Sequence, residues 1–132
     1  MSEPPYRHIT HTTKDGVVVI KITETELRDY DVCDRLRKEF VDVVDQSGTN
    51  KVVLDFGHVE FVASVMYLPL LSLSGKVSRT GGRIVLSNLS EMIAKVFLAT
   101  RLLINRSSAD APFQREATVA AAIANLNGTP PT

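Results

Sequence analysis

The sequence predicts a mixed α/β domain built on a mostly parallel β-sheet, with an antiparallel hairpin at its amino-terminal edge. Strand-length β-branched runs alternate with longer segments in which apolar residues recur every three or four positions. Strands that alternate with helices pair in parallel through right-handed crossovers. The turn residues Lys14-Asp15-Gly16 join the first two strands directly, which makes that pair antiparallel. We expect one domain over residues 1–132, with a core over about 8–126 and flexible termini.

The amino-terminal part is predicted to form a hairpin followed by a helix. Weak alternation indicates a strand from Tyr6 to Thr13, and Val17 to Ile22 follows as a central strand. The polar stretch from Glu24 to Tyr30 is a connection. Asp31 then caps a helix that ends at Gly48. Its inward face carries Val32, Cys33, Leu36, Phe40, Val43 and Val44.

Lys51 to Phe56 is the clearest strand, because its apolar run is nearly continuous, as in a strand covered by helices. The exception is Asp55, which either faces solvent, the preferred interpretation, or is a ligand for the following loop. The predicted inward face of the next helix carries Met66, Leu70, Leu73 and Val77, with Tyr67 and Leu71 beside it.

Ser64 lies where this strand region gives way to that helix. Unpaired N–H groups and the positive end of the helix dipole meet at such a junction, so an anion attached to the hydroxyl would be well placed. The alternative is a simple helix N-cap. With Ser64 as the N-cap, Pro69 falls just past the first turn and should kink or loosen the helix start.

The remaining elements complete the alternation. Thr80-Gly81-Gly82 ends the second helix, and Arg83 to Leu86 forms a short strand. Asn88-Leu89-Ser90-Glu91 fits a capping box for a third helix that ends near Thr100. Its inward residues are Leu89, Met92, Ile93, Val96 and Phe97. Next come a loop from Arg101 to Pro112 and an edge strand from Phe113 to Glu116. Thr118 then caps a last helix, whose inward residues are Val119, Ala122, Ile123 and Leu126, and a frayed tail begins at Gly128.

Composition excludes several classes of function. Fifteen acidic residues balance fifteen scattered basic ones, which disfavours nucleic-acid binding and favours protein partners. Cys33 is the only cysteine, so no internal disulfide forms, and we interpret it as a buried core residue in a reducing cytoplasm. His8 and His11 lack a third ligand for a metal, and we expect no cofactor. The sequence shows neither a signal peptide nor an apolar stretch long enough to cross a bilayer. We therefore expect a cytoplasmic location and no membrane insertion.

Five motifs follow one another along the chain. They are Gly16-Val17-Val18-Val19-Ile20, Val52-Val53-Leu54-Asp55-Phe56, Val59-Glu60-Phe61-Val62-Ala63-Ser64, Gly81-Gly82-Arg83-Ile84-Val85-Leu86-Ser87-Asn88-Leu89 and Phe113 to Ile123. This ordered set resembles the STAS domain of bacterial anti-sigma factor antagonists, which also occurs in stressosome proteins and sulfate transporters. The resemblance covers nearly the whole chain.

The resemblance implies a regulator of transcription that works by partner switching. In such proteins an anti-sigma factor that is also a serine kinase phosphorylates the serine at the position of Ser64, and a serine phosphatase removes the phosphate. The unphosphorylated antagonist captures the anti-sigma factor and frees the sigma factor. The alternative is a phosphorylation-independent interaction or scaffold module, like a stressosome protein or a subunit of a transporter complex, in which Ser64 only caps a helix.

The expected partner-binding residues lie around Ser64. They are Asp29, Tyr30, His58, Glu60, Ala63, Ser64, Val65, Met66 and Tyr67. His58 is either a solvated loop residue or a partner for a phosphate. The family pattern has Asp at the position of Ala63, Ser or Thr at that of Val65 and Gly at that of Met66. Met66 is therefore expected to place a large side chain where a partner approaches. The motifs of common enzyme classes are absent, and we do not expect catalysis.

Overall fold

The computed structural model describes residues 6–100 and 113–128. Its main sheet has five strands in the order β1-β2-β4-β6-β7, and a second sheet consists of β3 and β5. The strands are β1 (Ile9–Lys14), β2 (Val17–Ile22), β3 (Glu26–Leu27), β4 (Lys51–Asp55), β5 (Phe61–Val62), β6 (Arg83–Ser87) and β7 (Gln114–Glu116). The helices are α1 (Tyr30–Ser47), α2 (Tyr67–Ser78), α3 (Glu91–Ala99) and α4 (Val119–Leu126), and a 3₁₀ turn, Ser64–Met66, precedes α2.

The predicted mixed α/β sheet is confirmed. β1 and β2 pair antiparallel, with Ile9 opposite Ile22 and Lys14 opposite Val17, while β2, β4, β6 and β7 pair in parallel. The hairpin turn holds Asp15 and Gly16 at positive φ, as a two-residue turn between twisted strands requires. β1 lies at the predicted edge of the sheet.

The sheet is covered unequally on its two faces. Helices α1, α2 and α3 cover one face and build the larger core around Leu36, Phe40 and Phe97. On the other face α4 is the one helix among the described elements, and it packs through Ala122, Ile123 and Leu126 onto Val17, Val53 and Val85. The predicted inward stripes of α1, α2 and α4 are therefore confirmed in their main positions.

Helix α1 begins earlier than predicted. The N-cap is Asp29, not Asp31, and the Asp29 carboxylate accepts hydrogen bonds from the backbone N–H of Asp31 at 2.8 Å and of Val32 at 3.2 Å. Asp29 and Asp31 are both residues that helices prefer as N-caps. The helix already begins at Tyr30, three residues after the end of β3, so Asp29 takes the N-cap position. The predicted end at Gly48 is confirmed, with φ at 69°.

Helix α3 departs from two predictions. Its N-cap is Ser90, whose Oγ accepts a hydrogen bond from the N–H of Ile93, and the predicted capping box from Asn88 is wrong. Asn88 is held at φ 58° in the left-handed region, which cannot lead directly into a helix. Met92 and Val96, predicted to face inward, are 66% and 37% exposed. The helix buries only the stripe through Ile93, Ala94 and Phe97.

The carboxyl-terminal predictions are confirmed where the structure describes them. β7 pairs with β6 at the edge of the sheet. Thr118 caps α4 by accepting a hydrogen bond from the N–H of Ala121 at 3.1 Å. The predicted loop over 101–112 and residues 129–132 of the predicted tail lie outside the described residues.

Candidate partner-binding site

Ser64 opens the 3₁₀ turn that links β5 to α2, and it is exposed. The alternative role as a helix N-cap is wrong: neither the turn nor α2 has a side-chain cap, and α2 begins only at Tyr67. Among the described residues, no hydrogen bond engages the Ser64 hydroxyl, while its backbone carbonyl accepts from the N–H of Tyr67. The hydroxyl is thus available for chemistry or binding.

The 3₁₀ turn also places Pro69 where a helix tolerates proline. With the N-cap at Met66, Pro69 is the third residue of the helix, a position whose backbone nitrogen has no intrahelical acceptor. Proline therefore costs no hydrogen bond there, contrary to the prediction. Its ring is buried and helps to fix the start of α2.

The loop that leads to Ser64 is held at its start by Asp55. The Asp55 Oδ1 atom accepts hydrogen bonds from the N–H of Gly57 and from Nδ2 of Asn88, both at 2.9 Å. Asp55 is therefore a ligand for the loop, the less favoured of its two predicted roles. The positive φ of Asn88 directs its side chain to this contact.

A second attachment comes from β3 and the residue before it, in a stretch that was predicted to be only a connection. The Thr25 carbonyl accepts from the N–H of Glu60 at 2.7 Å and of Phe61 at 3.2 Å, and the Leu27 carbonyl accepts from the N–H of Ala63 at 2.8 Å. Two-residue strands are too short to show a periodicity from which they could be predicted. The sequence still offered one signal, the apolar Leu27 between the charged Glu26 and Arg28, and Leu27 is completely buried. Ser64 thus follows a firmly hydrogen-bonded segment.

The structure brings most of the expected partner-binding residues to one region. Asp29, Tyr30, His58, Glu60 and Ser64 are exposed, while Ala63, Val65 and Tyr67 are half-buried. Met66 was expected to place a large side chain where a partner approaches. It is instead completely buried and belongs to the core, so its side chain does not obstruct a partner. The Tyr67 ring packs edge-to-face on Phe97, with 6.3 Å between ring centroids.

Several residues of this region were not predicted. Leu68 is 67% exposed, although it lies in a helix whose other apolar residues mostly face inward. A shallow groove between α1 and α2 is lined by Tyr30, Cys33, Asp34, Arg37, Val65, Leu68 and Pro69. On the other side of Ser64, the guanidinium of Arg28 lies over the ring of Phe61, 5.6 Å from its centroid, and also pairs with Glu26. Leu68 falls off the inward stripe of α2, which was the signal available in the sequence.

The surroundings of the groove shift the pKa of two of its side chains, Asp34 and Cys33. Arg37 donates from Nε and Nη2 to Asp34 Oδ1 at 3.2 and 3.1 Å, and these bonds lower the pKa of the Asp34 carboxyl. Burial, with a smaller contribution from the charge of Asp29, raises the pKa of the Cys33 thiol. Cys33 therefore stays protonated and acts as an apolar residue under the groove, as predicted.

The described residues contain no group of three or more His, Cys, Asp and Glu side chains placed to hold a metal ion. His8 instead contacts Glu24 through Nδ1 at 2.9 Å, and the ring of His11 packs against Tyr6. Over 6–100 and 113–128, no helix combines the length and apolar character needed to cross a membrane.

Comparisons with known proteins agree with this geometry. The sequence profile of the STAS domain matches residues 8–112. An anti-sigma-factor antagonist (STAS) domain protein from Planctomyces limnophilus is similar in structure, with a TM-score of 0.72 and 20% identity, over 89% of this chain and 96% of that one. The phosphorylated form of SpoIIAA from Bacillus is similar with a TM-score of 0.63 and 21% identity, over 89% of this chain and 97% of that one. A variant of Moorella thermoacetica RsbS is similar with a TM-score of 0.70 and 14% identity, over 92% of this chain and 97% of that one. No curated protein sequence matches the chain.

Proposed function

The chain belongs to the STAS domain family, and on that premise we propose that it is an anti-sigma factor antagonist switched by phosphorylation of Ser64. Unphosphorylated, it binds an anti-sigma factor that is also a serine kinase. Phosphorylation of Ser64 releases that partner, and a serine phosphatase restores binding. The similar structures of SpoIIAA, in a phosphorylated form, and of RsbS support the assignment.

The observation that carries the proposal is the state of Ser64. Its hydroxyl is exposed and free of hydrogen bonds among the described residues, yet it follows a segment fixed by Asp55 and β3. A kinase needs an acceptor hydroxyl that is accessible and held in one place, because positioning lowers the entropic cost of transfer. An N-cap serine would have its hydroxyl occupied by a backbone N–H.

Phosphorylation would change binding without unfolding the domain. The phosphate adds about −1.5 to −2 charges at the 3₁₀ turn that leads into α2. The helix dipole tolerates this charge, with a stabilisation of roughly 0.3 to 1 kcal/mol. In an interface the same charge loses water or meets like charges, at a cost of several kcal/mol, which lowers affinity about a hundredfold or more.

The test is phosphorylation of the purified chain by the serine-kinase anti-sigma factors of its source organism with ATP. We expect the mass of one phosphate, located at Ser64 by tandem mass spectrometry. Ser64→Ala should abolish the gain, whereas Ser78→Ala, an exposed serine at the far end of α2, should not. Absence of phosphorylation by every such kinase, or phosphate placed elsewhere, would contradict the proposed switch.

A phosphorylation-independent interaction module is the second candidate. It is favoured by Ala63 and Val65, which flank Ser64 with half-buried apolar side chains and offer a kinase no charged contact directly beside the hydroxyl. In that case Ser64→Glu leaves the affinity for a partner unchanged.

A further inference from the structure

We propose that most of the affinity for the protein partner comes from the apolar surface between α1 and α2, with Tyr30 and Leu68 projecting into an apolar recess of the partner. We call it the Tyr30–Leu68 surface, formed by Tyr30, Cys33, Val65, Leu68 and Pro69. The inference rests on the proposed function, and it assigns recognition and switching to different side chains. Ser64 controls release, and the Tyr30–Leu68 surface supplies the binding.

Exposure singles out the two projecting residues. Tyr30 is 69% exposed and Leu68 67% exposed, against complete burial of Leu70 and Leu73 in the same helix α2. A single exposed apolar side chain is ordinary, but two large ones that line the same groove form a patch. Tyrosine is also among the residues that most often dominate protein interfaces, because its large ring is ordered at low entropic cost.

The shape of the surface favours a protein over a small molecule. The groove encloses only about 30 Å³, whereas small-molecule pockets hold roughly 300–1,000 Å³. Its floor is already filled by Cys33 and Pro69, which are both buried. The exposed apolar area therefore lies on the projecting Tyr30 and Leu68 side chains, and a recess on the partner is needed to cover it.

The charges around the surface define the partner's chemistry. Asp34 is neutralised by Arg37 and lies 3.5 Å from Lys38 Nζ, so the groove itself presents no unpaired charge. Beside Tyr30, Asp31 is exposed and forms no ion pair with any described residue. The complementary surface is thus an apolar recess with a basic side chain on the side that faces Asp31.

The location of the surface couples it to the switch. Val65 lines the groove and directly follows Ser64, so a phosphate would lie at the rim of the buried contact. Charge at the rim of an apolar interface loses water when the interface closes, which opposes binding. The same partner must therefore cover both the hydroxyl and the Tyr30–Leu68 surface.

The test measures the affinity of Tyr30→Ala and Leu68→Ala for the anti-sigma factor that binds and phosphorylates the wild-type chain. The matched control is Met92→Ala, which removes a side chain 66% exposed on α3. We expect each of the first two to weaken binding at least about 30-fold, and the control to stay within about twofold. Circular dichroism should report the wild-type fold for all three, because each residue is exposed and alanine favours helix.

A kinetic readout separates recognition from chemistry at Ser64. Tyr30→Ala and Leu68→Ala should raise KM for phosphorylation and leave kcat unchanged, because they remove binding and do not move the hydroxyl. Wild-type affinity in both variants, or equal loss in Met92→Ala, would overturn the inference while the proposed switch stands. If no anti-sigma factor binds the wild-type chain, both proposals fail.

Discussion

The two ends of the central sheet differ in how their polar groups are used. At the end where β4 and β6 begin, side chains tie the loops together: Thr49 donates to the Gly16 carbonyl at 2.7 Å, Asn50 to the Thr80 carbonyl at 2.8 Å and Asn127 to the Asp15 carbonyl at 3.1 Å. Lys76 and Asp45 add an ion pair of 2.6 Å between α1 and α2. At the opposite end, Ser64 exposes a hydroxyl that bonds to no residue within 6–100 and 113–128, and Tyr30 and Leu68 expose large apolar side chains.

This difference separates stability from function along one helix. The last turn of α2 is tied to α1 through Lys76, while its first turn exposes Leu68 and follows the exposed Ser64. In parallel α/β sheets, ligand sites are found beyond the carboxyl ends of the strands, where the loops that follow the strands converge. Changes at the tied end should therefore alter folding free energy and spare binding, whereas changes at Ser64, Tyr30 and Leu68 should alter binding and spare folding free energy.

Gly82→Ala should give the largest effect on stability, at the tied end. A Cβ atom at Gly82 would overlap the backbone oxygen of Asn50 and lie 2.6 Å from its Cβ and 2.7 Å from Val77 Cγ1. Because backbone and packed side chains must move, we expect the free energy of unfolding to fall by about 2 to 4 kcal/mol in urea denaturation.

Gly75→Ala is the matched control for that substitution. Gly75 lies within α2, and an added Cβ meets nothing within 4 Å. Alanine should therefore raise the free energy of unfolding by about 0.4 to 1 kcal/mol. Similar losses in both variants would show that the close approach at Gly82 is not what matters.

Asp55→Ala should give a smaller effect, at the open end. The variant leaves the N–H of Gly57 and the amide of Asn88 without their shared acceptor, which should cost about 1 kcal/mol. Amide hydrogen exchange at Gly57 should accelerate, and phosphorylation of Ser64 should slow because the loop is less ordered. Asp55→Asn keeps an acceptor oxygen and should stay closer to wild type. Unchanged exchange in Asp55→Ala would contradict the role given to this carboxylate.

Strands and helices with strong periodicity could be predicted from the sequence. The bounds of β2 agree with the prediction. The end of α1 at Gly48 was predictable because glycine readily adopts the left-handed φ that ends a helix, and Gly48 does so here. The predicted α/β order is right because apolar spacing reports which elements face the core. β3 and β5 were missed because two residues carry no period.

The errors at the site have a common physical cause. A serine before an apolar helical run is typical of an N-cap, but the same pattern fits a 3₁₀ turn, and the serine itself does not decide between them. The position of Pro69 favours the turn, since it removes a nitrogen that a helix starting at Ser64 would use. Exposure of Met92, which its spacing placed inward, depends on which neighbouring elements are present, and spacing alone does not reveal that.

The most direct test of the switch compares one charge placed at each end of α2. The dissociation constant of the anti-sigma factor should be measured by calorimetry for wild type, Ser64→Glu and Ser78→Glu. We predict that Ser64→Glu weakens binding about a hundredfold or more and that Ser78→Glu stays within about twofold, with both variants folded. Equal affinity of Ser64→Glu and wild type would contradict a phosphate-controlled interface at Ser64.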